Sequence, residues 1–252
     1  MQITVLGKSP AWQDADGACS GYLVQGGGQT VLVDCGPGVF AKLRRHADYV
    51  DVDAVVITHL HADHVLDLLP FASGLRYGRP ARPRLLAPPG GLEAFAAMGA
   101  ATGMGAEHIE RAFDVTTYDP AEALALGGLA VRFQPVPHFI PANAVEIANG
   151  GARFTFSADC GPSDELCAFA SGTDLLLIEA TLPVPETDRR GHLTPVEAGE
   201  HGARAGAKRL VLTHISDELD PDWARAEAAR GFGAPVEIAV EGAVYALETG
   251  SD

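Results

Sequence analysis

Short apolar runs alternate along the chain with glycine and proline turns. Ile3 to Leu6, Tyr22 to Gln25 and Thr30 to Asp34 read as strands, the last two joined across Gly26-Gly27-Gly28 as a hairpin. Asp34-Cys35-Gly36-Pro37-Gly38 breaks the sheet, and Val39, Phe40 and Leu43 then recur at helical spacing. Ala54-Val55-Val56-Ile57 is apolar on both faces and predicts a buried strand. Val65 to Leu75 predicts one apolar helix with Pro70 as a kink. Arg84 to Ala87 is a strand, and Pro88-Pro89-Gly90-Gly91 opens a helix through about Met98. The small residues from Gly99 to Gly105 read as a loop, with a lid as the functional alternative.

Phe113 to Tyr118 and Leu129 to Val136 follow as strands, then a hairpin of Ala144 to Ile147 and Arg153 to Phe156 across Asn149-Gly150-Gly151. Leu175 to Ile178 is a fully apolar strand. Thr194 caps a helix through about Ala205, with Pro195 in its first turn. A strand from Arg209 to Leu212, a helix from Pro221 to Arg230, and strands Val236 to Ala239 and Ala243 to Leu247 complete the series. Each half runs strands first and helices after, without a fixed-period repeat, which is mixed α and β.

Composition adds limits. The 252 residues suffice for one large domain, read here as 1–252, and 47% hydrophobic with 20% charged residues is ordinary for a globular chain. A formal charge of −15 works against long polyanions, because nucleic-acid affinity comes from lysine and arginine neutralising phosphates. The N-terminus lacks a charged-then-apolar leader, and no apolar run reaches membrane-spanning length, so no membrane association is expected. Cys19, Cys35, Cys160 and Cys167 have no paired spacing and read as free thiols, which suits the cytoplasm.

The chemistry gathers at strand ends. Thr58-His59-Leu60-His61-Ala62-Asp63-His64 follows the buried Ala54–Ile57 run, and such a density of imidazole and carboxylate is a ligand set for zinc, iron or manganese. Two histidines at i and i+4, as on a zincin helix, are absent from it. His138, Asp159 and His214 each follow a later strand in the same way. In a layered sheet, strand ends share one edge, so seven side chains can converge there. His46, His108 and His201 lack this setting and read as surface or packing residues.

The H-x-H-x-D-H cluster, with the later histidine, aspartate and histidine in order, resembles the metallo-β-lactamase superfamily of two-metal hydrolases. The similarity runs from Gly7 to about His214 and implies a four-layer αβ/βα sandwich. It implies two metal ions, zinc by default with manganese or iron as alternatives. His59, His61 and His138 look like the ligands of the first, Asp63, His64 and His214 like those of the second, and Asp159 like the bridge. Asp34, in Asp-x-Gly after a strand, looks like the brace of the metal loop. Two adjacent cations make a bridging water reactive and polarise the electrophile, and Asp63 can orient the nucleophile's proton.

Glu179-Ala180-Thr181 and His192-Leu193-Thr194 look like elements of the ribonuclease Z-like and phosphodiesterase branch. There the histidine faces the leaving oxygen and the glutamate holds its ring, roles carried here to His192 and Glu179. Ribonuclease Z inserts a long tRNA-gripping arm between the motifs of His138 and Asp159, which here lie 21 residues apart, room for one hairpin. The expected substrate is therefore a small phosphodiester and not tRNA. The turn Gly161-Pro162-Ser163 offers backbone amides for its phosphate. A lactonase or thioesterase with the same metals is the enzymatic alternative; an iron oxygenase or a ligand-binding protein is the alternative of a different class. The branch tends to dimerise, and the helix from Val65 or the 99–105 stretch would supply the interface.

Overall fold

The computed structural model describes residues 1–248. Strands β1 (Gln2–Gly7), β2 (Gly21–Gly26), β3 (Gln29–Val33), β4 (Ala54–Val56), β5 (Arg84–Ala87), β6 (Asp114–Thr117) and β14 (Val244–Ala246) make one sheet, in the order β14-β1-β2-β3-β4-β5-β6. Strands β7 (Leu124–Leu126), β8 (Leu129–Val136), β9 (Ala142–Asn149), β10 (Ala152–Phe156), β11 (Leu175–Glu179), β12 (Leu210–Thr213) and β13 (Glu237–Ile238) make the second, in the order β13-β12-β11-β10-β9-β8-β7. In each sheet antiparallel hairpins pass into a run of parallel strands, β3 to β6 in the first and β10 to β13 in the second. Parallel strands end on one edge, and that is where the polar loops collect.

Alternation along the strands makes the layers. Val31 and Val33 of β3 point into the core between the sheets, with Phe133, Val145 and Phe156 of the second sheet, while Leu32 points outward. The outward residues of the first sheet meet Val39 and Leu43 of α1 (Val39–His46), Phe71 of α3 (Leu68–Ser73) and Phe95 of α4 (Gly91–Ala101). Those of the second sheet, Leu176, Ile178, Leu210 and Leu212, meet Leu166 of α5 (Asp164–Phe169), Ala198 of α6 (Pro195–Ala205) and Ala228 of α7 (Pro221–Phe232). Burying residues on both strand faces requires two helical layers outside two sheets, the αβ/βα sandwich.

The helix expected over Val65 to Leu75 is broken. A single turn, α2 (Ala62–Val65), is followed by α3, then by a π-helical turn over Gly74–Gly78. Pro70 has no N–H to give the carbonyl of Leu66, and the Asp67 N–H bonds Cys35 O at 3.0 Å instead of continuing the ladder. Asp63 and His64 lie in the single turn of α2, just after its N-cap His61. Leu68, Leu69, Phe71 and Ala72 are buried in the chain's own core. The 99–105 stretch closes the end of α4, with the Met104 and Gly105 N–H groups both donating to Gly99 O, and none of it lines the cavity over the histidines. Three elements are additional to the sequence reading: a 3-10 turn over Tyr49–Asp51, β7, too short to show a period, and α5, whose start is the Ser163 cap.

Candidate metal centre

The strand-end residues meet. His59, His61, His138 and Asp159 place donor atoms within 4.8 Å of one another, and so do Asp63, His64, Asp159 and His214. The first set joins the loop after β4 to those after β8 and β10; the second adds the loop after β12. Asp159 belongs to both sets: its Oδ2 lies 3.6 Å from His59 Nε2, 3.8 Å from His138 Nε2 and 3.4 Å from His214 Nε2, and its Oδ1 lies 3.3 Å from His64 Nε2. Two ligands at about 2.1 Å from one tetrahedral ion are separated by about 3.4 Å, so these spacings suit shared cations.

The outer ring nitrogens set the tautomers. Thr58 Oγ1 donates to Asp34 Oδ2 at 2.8 Å and so accepts from His59 Nδ1 at 3.0 Å. His64 Nδ1 donates to Asp34 Oδ2 at 2.7 Å, and His138 Nδ1 to Gly191 O at 2.8 Å. Thr181 Oγ1 donates to Glu179 Oε2 at 3.0 Å and accepts from His214 Nδ1 at 2.8 Å. Each of these four rings therefore turns a bare Nε2 inward, the form in which imidazole binds metal. His61, half-buried, contributes Nδ1, 3.0 Å from His138 Nε2.

The atoms themselves test whether metal fits. His59 Nε2, His64 Nε2 and Asp159 Oδ1 are buried without a hydrogen-bond partner. Buried polar atoms are ordinarily paired, and orphans clustered on one point mark a place for an ion. Burial and the neighbouring His64 ring hold His59 well below the usual imidazole range, so it is neutral with its lone pair free. Burial likewise lowers His61 and His138. Burial opposes ionisation of Asp159, but His214 and His64 outweigh it and hold the carboxyl well below its usual range. Burial opposes charge on His64, but Asp159 and Asp34 outweigh it and hold that ring well above the usual imidazole range, so a cation there would take the place of its proton. Neutral His59, His61 and His138 with the ionised Asp159 form a donor set for a divalent metal.

The backbone is strained where it delivers these groups. Asp34, Ala158 and His214 have φ of 59°, 54° and 50°, in the left-handed region that side chains disfavour. Gly36 permits the closest approach: a Cβ there would fall 1.8 Å from Asp63 O, so only glycine lets the loop after β3 rest on α2.

Beside the metal-binding sets, His192 Nδ1 donates to Glu179 Oε1 at 2.8 Å. Glu179 is fully buried and also accepts from Cys160 N and Thr181 N, each at 3.1 Å. Burial works against charge on His192, but the bond to Glu179 and that carboxylate's charge prevail and lift it to about 9. The ring lines a cavity of about 370 Å³ together with His61, Asp63, Asp159, Thr181 and His214, and the cavity's other wall is Pro10, Ala11 and Trp12.

The sequence reading quoted Thr58 and Thr181 within its motifs without their role in setting tautomers, and it missed Trp12. A threonine's hydroxyl carries no signal of its own; a tryptophan in a polar loop does. The amides offered by Gly161-Pro162-Ser163 are spent: Gly161 N–H donates to Pro137 O at 2.7 Å and Ser163 N–H to His201 Nε2 at 3.0 Å, and Pro162 has none. No phosphate cradle exists in that turn.

Residues 29–215 match the family model described as a β-lactamase superfamily domain. A probable metallo-hydrolase of Bacillus subtilis, YhfI, is 31% identical over 97% of this chain and 99% of its own. Its crystal structure, of a metallo-β-lactamase fold protein, superposes with a TM-score of 0.87 at 28% identity, covering 97% of this chain and 98% of that one. An uncharacterized protein of Mycobacterium leprae is 34% identical over 98% of this chain and 89% of its own. Ribonuclease Z of Myxococcus xanthus is 26% identical over 96% of each.

Proposed function

Because this chain belongs to the β-lactamase superfamily of metallo-hydrolases, we propose that it is a binuclear, zinc-dependent phosphodiesterase acting on small phosphodiesters. The observation that carries the reading is the Glu179–His192 pair at the edge of the metal-binding sets. Cleaving a phosphodiester expels an alkoxide, which needs a proton, and a carboxylate-held imidazole facing the cavity is a proton donor in place. Ribonuclease Z, another phosphodiester-cleaving protein, is among the relatives. The cavity's size favours a small substrate over tRNA.

His59, His61 and His138 would hold one cation and Asp63, His64 and His214 the other, with Asp159 between them. When bound, the pair supplies Lewis acidity and a water acidic enough to attack at neutral pH. Asp63 Oδ2, 3.1 Å from His214 Nε2, takes up and orients that water's proton. His192 gives the proton on Nε2 to the leaving oxygen, while Glu179 keeps Nδ1 protonated and the ring aimed into the cavity. Thr181 ties Glu179 to His214, so the acid and the metal-binding ring hold one geometry.

Purified protein, with metal quantified, should turn over a bis-aryl phosphate and a cyclic nucleotide but not a precursor tRNA. A lactone hydrolysed while both phosphodiesters stay intact would sink the reading. Replacing His192 with Ala should cut turnover of alkyl-leaving phosphodiesters by roughly two orders or more with metal content unchanged. Nitrophenolate, which leaves without a proton, should suffer far less. Equal losses on both would remove the acid role.

A lactonase or thioesterase is the second reading. It is favoured by a cavity lining that contains, among the described residues, neither lysine nor arginine. A phosphodiester has a single negative charge, which two dications can hold without a side-chain cation.

A further inference from the structure

One wall of the cavity takes no part in holding metal or proton. Pro10, Ala11 and Trp12 form it, facing a polar floor of histidine and aspartate. Trp12 is 52% exposed, although an indole carries one of the largest apolar surfaces of any side chain. Its loop is pinned on both sides. Before and after Trp12, the Asp14 N–H donates to Ser9 Oγ at 3.0 Å, and Lys8 pairs with Asp14 while donating to Ile215 O at 2.9 Å. Asp217 N–H donates to Asp14 Oδ1 at 3.0 Å, and Ala18 N–H to Glu241 Oε1 at 2.6 Å. Anchors on the far half of the chain, at Ile215, Asp217 and Glu241, tie down both ends of the loop that carries the indole at the cavity. A large, rigid, half-bare aromatic beside a reactive centre is pre-organised to stack on a ligand.

We propose that Trp12 is a stacking platform that selects substrates whose ester carries a planar aromatic group, a nucleobase or an aryl ring. The uncharged lining on that side suits the flat face of such a ring and gives a charged or bulky aliphatic arm nothing to bind. The cavity of about 370 Å³ accommodates one such group with its ester. This specificity rests on the phosphodiesterase reading only for the identity of the ester.

The chain has two tryptophans, so Trp223→Phe leaves Trp12 as the sole indole. In that metal-loaded variant, adenosine monophosphate, phenyl phosphate and methyl phosphate are titrated against tryptophan fluorescence. Saturable quenching by the aromatic phosphates and not by methyl phosphate supports the platform; quenching by adenosine monophosphate alone assigns it to nucleobases. No response, or an equal response to all three, overturns it. In the kinetic arm, Trp12→Ala should raise KM for a bis-aryl phosphate about tenfold, and Trp12→Phe should restore most of the loss. Phenyl acetate and ethyl acetate separate the two ideas. An aryl preference on acetates that Trp12→Ala abolishes, without phosphodiester turnover, sinks the phosphodiesterase reading and keeps the platform. Phosphodiester turnover with KM unmoved in Trp12→Ala sinks the platform alone.

Discussion

Asp34 organises two neighbours with one carboxylate. Oδ1 accepts the Thr58 N–H at 2.8 Å, and Oδ2 accepts Thr58 Oγ1 at 2.8 Å and His64 Nδ1 at 2.7 Å. Through Thr58 it also settles the tautomer of His59, so it bears on both metal-binding sets while touching neither place where an ion would sit. Asp34→Asn keeps the size and tolerates the left-handed backbone, but withdraws the charge and one acceptor. Metal affinity should fall about 10–100-fold in a competition titration with a chromogenic chelator, and unchanged affinity would contradict the bracing role. At this scale the sequence was informative where the pattern was unusual: three histidines clustered after a buried strand, and Asp34 two residues before Gly36 at a strand end. It was silent on Thr58 and Thr181, because a hydroxyl's partner depends on which loop arrives beside it.

Helix α6 begins three residues after His192 and is held by a reciprocal cap. Thr194 Oγ1 accepts the Glu197 N–H at 3.4 Å, and Glu197 Oε2 accepts the Thr194 N–H at 2.9 Å. Thr194→Ala should cost about 1 kcal/mol in denaturant unfolding at neutral pH. Burial would raise the Glu197 carboxyl, but bonds from Arg190 and Thr194 hold it below its ordinary 4.5. A carboxyl lowered on folding stabilises fully above the unfolded value, and that contribution fades as pH falls through the folded one. The gap between wild type and Thr194→Ala should therefore narrow below about pH 4. A gap that widens in acid would show that Glu197 is not held by the cap. The Thr194-Pro195 signal made this helix legible from the chain, while the Glu197 half of the cap emerged with the structure. The apparently continuous helix after the metal loop was misleading, because its break depends on Asp67 finding Cys35 O and Phe40 N, contacts without a local trace.

Across the whole molecule, the two candidate metal-binding sets join loops from both sheets. His59, His61, Asp63 and His64 come from the first, and His138, Asp159 and His214 from the second. Without cations, buried lone pairs face one another with nothing between them. Chelation should lower the melting temperature by about 5–10 °C, taking metal at roughly a hundredfold above Kd as about 2.7 kcal/mol and each kcal/mol as a few degrees at this size. Re-addition of zinc should restore it. A melting curve indifferent to chelator in protein shown to be metal-free would mean that the two halves hold together without ions.

Local order was written in the chain itself. Apolar patterning determined strands and helices in mixed α and β order, the four-layer arrangement came only as what the family resemblance implied, and residue type restricted the ligand set to imidazole and carboxylate. Which loops would touch was decided by tertiary packing. Parallel strands bring their carboxyl ends to one edge, and there the Glu179–His192 pair, the threonine-set tautomers and the Trp12 wall come into being. Those features are distances between residues far apart in sequence, and spacing along a chain records no distance across a fold.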